Sequence, residues 1–192
     1  MPIFEFNLPK GLSKALGLPT KSPRTAQMRV LNKLLKTAQY TAFGQKFKFA
    51  EILNHRHIGK NFQESVPTYN YNKIYKDWWH LTLEGQSDIC WPGKINYFAL
   101  SSGTSEAASK YIPITNDLLR GNKIIMIKQL ISLFKYREIP LSAMGRGWLT
   151  LGGSTDLQKG AGYYAGDLSG ITAKKSPFWF QPFYKPGKKI AK

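Results

Sequence analysis

Cysteine is almost missing from this chain: Cys90 is the only one. An intrachain disulfide and a Cys-rich metal site are thereby excluded, which fits a reducing compartment. Acidic residues are scarce as well. Against 28 lysines and arginines stand 11 aspartates and glutamates, a formal charge of +17. Residues 1–50 hold one acid, Glu5, and no acid follows Asp167. Such a balance attracts anions: nucleotides, nucleic acid or acidic lipid. It also arises when a chain is one part of a longer protein whose remainder carries the acids, and that is the reading expected here. No stretch reaches the ~18 apolar residues of a membrane span. The first residues, interrupted by Glu5, lack the apolar core of a secretory leader. A cytoplasmic, soluble protein with no membrane partner is therefore expected. There is no G-x-x-x-x-G-K-[ST] loop and no RNP, helix-turn-helix or zinc-finger signature, so a nucleic-acid partner is not expected.

What is present suits a folded domain. Apolar residues make up 42% and aromatics 14% of 192 residues, enough for one ordinary domain with a core. Ser22-Pro23 reads as an N-cap followed by proline at the first helical position. Met28, Leu31, Leu34, Leu35 and Ala38 follow at helical spacing, with Arg29, Lys33 and Lys36 largely between them; the helix should run about 15 residues. Thr41 to Gly44 reads as its end, with Gly44 a C-cap or turn residue. His55 and His57 form an H-x-H pair without an evident third metal ligand, as expected for two surface histidines. Phe62 to Tyr75 reads as a loop, a turn at Asn70 to Asn72 and then a short helix through Trp79. Tyr69, Tyr71, Tyr75, Trp78 and Trp79 form an aromatic cluster that suits packing better than base stacking. His80, among them, reads as a hydrogen-bonded structural histidine.

The central stretch runs from Ile95 to Thr115. Ile95 to Leu100 and Tyr111 to Thr115 are β-prone, and Pro113 argues for an edge position or a strand end. Between them lies a loop of small hydroxyl residues ending in Lys110. Its backbone N–H groups, the hydroxyls of Ser101, Ser102, Thr104 and Ser105, and one ammonium could surround a single polyphosphate. Loops of this composition also join strands and bind nothing. Beyond it, Thr115 or Asn116 can cap a long helix, with Asp117 in its first turn. Its wide apolar face, from Leu118 to Phe134, should lie against a sheet. Gly147 to Gly153 reads as a buried strand. The glycines between 160 and 170 suggest a long loop, and Pro177, Pro182 and Pro186 disfavour regular structure near the end. Strands alternating with helices indicate an α/β sheet domain.

Ser101-Ser102-Gly103-Thr104-Ser105 with Lys110-Tyr111-Ile112-Pro113 resembles the first phosphate-loop motif of the acyl-adenylate-forming enzymes. More narrowly it resembles the GH3 family, the auxin-responsive promoter-like acyl acid amido synthetases. Phe62-Gln63-Glu64-Ser65-Val66-Pro67-Thr68-Tyr69-Asn70-Tyr71 resembles the F-x-x-x-V-P-x-x-x-Y segment that precedes this loop in that family. The similarity runs from about Arg24 to the end of the chain.

The resemblance implies a fold and a chemistry. The fold would be α/β, a mixed sheet with packed helices: residues 1–192 as a partial N-terminal adenylation domain, with the C-terminal domain missing. The chemistry would be an ATP- and Mg²⁺-dependent ligase that adenylates a carboxylic acid and passes the acyl group to an amine such as an amino acid. The partners implied are those two small molecules and the remainder of a full-length chain. Ser101, Ser102, Gly103, Thr104 and Ser105 would cradle the β- and γ-phosphates, and Lys110 would add charge near them. No metal ligand and no catalytic residue is assigned. The sequence departs from the family pattern at Glu106 and Ala107. It shows no second motif for the adenine and no Y-R-x-G-D segment for the ribose, since Tyr-Ala precedes Gly166-Asp167. This piece alone is not expected to turn over. The readings from a different class are a basic nucleic-acid-binding protein or a non-catalytic nucleotide-binding module.

Overall fold

A computed structural model describes residues 22–101, 109–135, 148–149, 154–175 and 184–185. The chain divides into two compact units: residues 1–73 with 88–92, and residues 74–87 with 93–192.

The first unit is helical. Helix α1 (Pro23–Ala38) starts as the sequence predicts, with Ser22 Oγ accepting from Thr25 N–H at 3.2 Å and proline at the first turn. Thr41 does not end this helix; it opens the next, α2 (Ala42–Lys46). Its buried hydroxyl donates to Ala38 O at 2.7 Å and accepts from Gly44 N–H at 3.1 Å. Gly44 lies inside α2, where a Cβ would collide with the Ala38 carbonyl oxygen, so glycine is required by close approach rather than by a turn. Two further helices follow, α3 (Phe49–Asn54) and α4 (Ile58–Ser65). Residues 62–65, read from the sequence as loop, belong to α4. Leu35, Ala38, Phe49 and Ile52 form the buried core, joined by Leu31, Phe43, Phe62 and Trp91. Residues 88–92 return to this unit through backbone bonds. Ala42 N–H donates to Asp88 O at 2.8 Å and Phe43 N–H to Ile89 O at 2.9 Å, which satisfies two donors at the start of α2 that no helix can satisfy internally.

The chain passes from one unit to the other within α5 (Tyr71–Ile74), whose start Asn70 caps through its Oδ1, 2.9 Å from Lys73 N. A π-helical turn, Tyr75–Trp79, continues into α6 (His80–Leu83). His80 Nδ1 lies 3.1 Å from Tyr75 O, the structural bond expected of it. The aromatic cluster read from the sequence is divided. Tyr69 packs beside Phe43 and Phe47 in the first unit, and Tyr75, Trp78 and Trp79 belong to the second.

The second unit is built on a mixed four-stranded sheet in the order β2-β1-β5-β4. Its strands are β1 (Tyr97–Ser101), β2 (Lys110–Ile114), β4 (Gln158–Lys159) and β5 (Tyr164–Gly166). β1 runs antiparallel to β2 and parallel to β5, and β4 runs antiparallel to β5. β2 takes the edge that Pro113 predicts, because a proline offers no N–H to a further strand. Alternation sends β1 to both faces. Ala99 faces one cluster with Ile114, Leu119, Leu157 and Ile171, and Phe98 faces another with Ile95 and Ala165. Helix α7 (Asn116–Lys135) is capped by Thr115, whose Oγ1 accepts from Leu118 N–H at 3.0 Å. Its expected burial holds for Leu119 but not for Leu118, Ile124, Ile125 and Ile127, which are exposed. Space is open around Gly121, which therefore neither packs closely nor breaks the helix. The glycine-rich stretch after Asp156 is not one long loop. It forms β4, β5 and helix α8 (Leu168–Lys174), with Gly162 turning the β4–β5 hairpin at φ +88°. A separate two-stranded parallel pair joins β3 (Trp148–Leu149) to β6 (Tyr184–Lys185). The rest of the strand read over Gly147 to Gly153 lies outside the described residues.

Candidate functional site

The β1–β2 hairpin positions the candidate phosphate loop. Its pairs run Tyr97↔Ile114, Phe98↔Pro113, Ala99↔Ile112, Leu100↔Tyr111 and Ser101↔Lys110. Directly opposed residues of an antiparallel pair share a face, so Ser101 and Lys110 stand side by side where the loop leaves and rejoins the sheet. Ser101 is half-buried and Lys110 exposed. Ser102, Gly103, Thr104 and Ser105 lie outside the described residues, as does Glu106.

The strand beneath this end is held from both sides. Phe98 is wholly buried, with Tyr163 edge-on at 5.2 Å and Tyr111 at 6.4 Å. Burial and the neighbouring Tyr111 push the Tyr163 phenol above its ordinary value. On the other face Ala99 packs in the cluster of Leu119 from α7 and Ile171 from α8. Fixed strand ends hold a loop's first and last residues at constant separation, which preorganised anion binding needs.

The topology also brings two carboxylates to this end of the sheet. β1 and β5 are parallel, so Gly166, paired with Ala99, leads to the same end as Ser101. Asp167 follows Gly166 and begins α8; its backbone carbonyl accepts from Ile171 N–H at 2.9 Å, and its exposed carboxylate makes no capping bond. β4 runs the opposite way, so Asp156, two residues before Gln158, comes to that end as well. The sequence pattern did not bring out either aspartate as a site residue, because only the strand directions place them here. Ligands of open α/β sheets bind at the carboxyl ends of parallel strands, and β1 and β5 point theirs toward this corner.

A hydroxyl and an ammonium at the mouth of a loop carrying three further serines, a threonine and a glycine make a candidate donor set for a polyphosphate. Nothing similar occurs at the other sites named from the sequence. His55 and His57 are exposed in the first unit, and no group of three or more His, Cys, Asp or Glu among the described residues is arranged to hold a metal. Cys90 is half-buried and burial pushes its thiol up to about 12, so it is no thiolate nucleophile near neutral pH. No helix among the described residues is long and apolar enough to cross a membrane.

A family model described as the GH3 family N-terminal domain matches residues 13–191. No curated protein matches the sequence. Among solved structures, a GH3.15 acyl acid amido synthetase superposes with a TM-score of 0.66 at 21% identity, covering 100% of this chain and 32% of its own. A structure described as AtGH3.15 acyl acid amido synthetase in complex with 2,4-DB gives a TM-score of 0.50 at 23% identity, covering 82% of this chain and 29% of its own. At such identities the likeness concerns the fold. The chain spans about a third of the length of these structures.

Proposed function

The chain belongs to the GH3 family, and on that premise we propose that it is the phosphate-binding, N-terminal part of an ATP-dependent ligase that joins a small carboxylic acid to an amine. The observation that carries the reading is the Ser101↔Lys110 pair closing the serine-, glycine- and threonine-rich loop. Ser101, Ser102, Gly103, Thr104 and Ser105 would hold the β- and γ-phosphates, and Lys110 would neutralise charge beside them. ATP, when bound with Mg²⁺, supplies the leaving group that makes a carboxylate reactive toward an amine. The residues of this chain act by alignment and charge neutralisation, not by forming covalent bonds. The remainder of a full-length synthetase would supply the contacts to the adenine, the ribose and both organic substrates.

The +17 charge and the reach of the family model both support a division of labour with a longer chain. The test is ATP–pyrophosphate exchange on the complete protein with a panel of carboxylic acids. Acid-dependent exchange that falls in Lys110→Ala supports the reading. Exchange unchanged in Lys110→Ala, or none with any acid while ATP still binds, overturns it in favour of a different loop role or a non-catalytic module.

A further inference from the structure

The free face of α1 is unlike the rest of the first unit. Its buried side is Leu31, Leu35 and Ala38. On the opposite side Arg29, Lys33 and Lys36 recur at i, i+4 and i+7 and line one open depression with Asn32 and Thr37. α1 contains no acid, and among the described residues no carboxylate pairs with these three. Elsewhere in the unit two lysines are paired with acids, Lys48 with Glu51 at 3.3 Å and Lys60 with Glu64 at 3.7 Å. Like charges one turn apart destabilise a helix, so the row costs stability that a bound anion would return.

Beside the cations lies apolar surface. Val30 is 57% exposed, Leu34 45%, and Tyr40, just past the helix, 78%. These are the large exposed hydrophobic residues among the described residues of the first unit: two lie on α1, in the row next to the cations, and one just past its end. Val30 and Leu34 are i, i+4 neighbours, so they form a stripe alongside the cationic row. A nucleic-acid backbone would use the charges and leave the stripe in water. A surface with anionic headgroups above acyl chains uses both, with the tyrosine at the boundary.

We propose that this face of α1 docks the protein on an anionic bilayer surface. Arg29, Lys33 and Lys36 contact lipid phosphates and carboxylates, while Val30, Leu34 and Tyr40 enter the headgroup layer. This departs from the expectation of no membrane partner and concerns a peripheral contact, not a span. The chain around the helix is suited to it, since no acid lies between Glu5 and Glu51 to repel the surface. The proposal rests on the first unit and is independent of the ligase reading.

The test is co-sedimentation of the full chain with phosphatidylcholine vesicles, with and without phosphatidylserine. Partition onto the serine-containing vesicles that weakens with salt is expected. The R29Q/K33Q/K36Q variant should lose about 100-fold in partition, and V30S/L34S about tenfold or more, each with an unchanged circular dichroism spectrum. Equal partition onto both vesicles, no partition, or partition unaffected by either variant overturns the proposal. Binding of polyuridylate that the triple variant abolishes, without any vesicle partition, also overturns it and assigns the face to nucleic acid. The membrane contact tests no part of the synthetase reaction, so its failure leaves the ligase reading standing.

Discussion

Ser101 and Lys110 are the last pair of the β1–β2 hairpin, facing each other across the mouth of the loop that joins the strands. One contributes a hydroxyl and the other an ammonium at a fixed separation. A charge-assisted bond to phosphate is worth about 1.5–3 kcal/mol. Lys110→Ala in the complete protein should lower exchange by about 10- to 100-fold, and Ser101→Ala by less. Lys110 is exposed and at a strand end, so its replacement should leave the melting temperature almost unchanged. Loss of activity together with a large fall in melting temperature would show instead that the pair is structural.

The corner between α1 and α2 depends on Thr41. Thr41→Val removes both hydroxyl bonds, to Ala38 O and from Gly44 N–H; Ala38 O keeps the Thr41 backbone N–H at 3.0 Å, while the N–H of buried Gly44 loses its acceptor. A loss of about 2 kcal/mol is expected in urea unfolding. Thr41→Ser, which keeps the hydroxyl, should recover most of it.

Gly44→Ala should be worse than its small size suggests. The added methyl meets backbone, with the Ala38 carbonyl oxygen in its path and Gln39 Cα within 3.0 Å. Neither can rotate away, so α1 and α2 must separate. The expected cost is about 2–4 kcal/mol in the same unfolding measurement. A neutral result would contradict the helix–helix approach described here.

Phe98→Ala empties the centre of one face of the sheet, where the ring is wholly buried against Tyr163 and Tyr111. The expected loss is about 3–5 kcal/mol. Phe98→Leu should cost clearly less. If the hairpin positions the loop, Phe98→Leu should also weaken nucleotide binding without touching a loop residue, which isothermal titration of the complete protein would read.

Cys90 makes stability depend on pH at the alkaline end. Its thiol ionises at an ordinary 9.0 in the unfolded chain and about 12 in the folded one. The raised folded value means that the folded protein keeps the proton where the unfolded chain releases it. Stability from this group is whole below about pH 9 and is lost as pH rises toward about 12. Denaturant midpoints of the protein should therefore fall more steeply over that window than those of Cys90→Ala. At neutral pH the folded thiol should react slowly with iodoacetamide, and quickly once urea unfolds the chain.

Much of the local structure was legible. Ser22-Pro23 marked the start of α1, Thr115 the cap of α7 and Pro113 an edge strand, because each signal acts through its own backbone bonds or their absence. The misreadings share a cause. Gly44 looked like a turn glycine and is a contact glycine, since the atom that demands it sits on the preceding helix. The glycines around β4 and β5 looked like a loop. β5 gains its partner from β1 and β4 gains its partner from β5, rather than from any periodicity of their own. Ile124, Ile125 and Ile127 looked buried, yet apolar spacing shows that a helix can bury a face and not that a neighbour covers it.

The sequence by itself determined the composition of the candidate phosphate loop, the helix caps and a family kinship that strand-by-strand reasoning could not supply. It determined these because they reside in adjacent residues. The tertiary structure decided the division into two units and the return of residues 88–92 to the first. It also decided the meeting of Ser101 with Lys110 and the arrival of Asp156 and Asp167 at their end of the sheet. Each of those depends on strand direction and register, which are set by pairing between segments far apart along the chain, and no local pattern of residues encodes the identity of a distant partner.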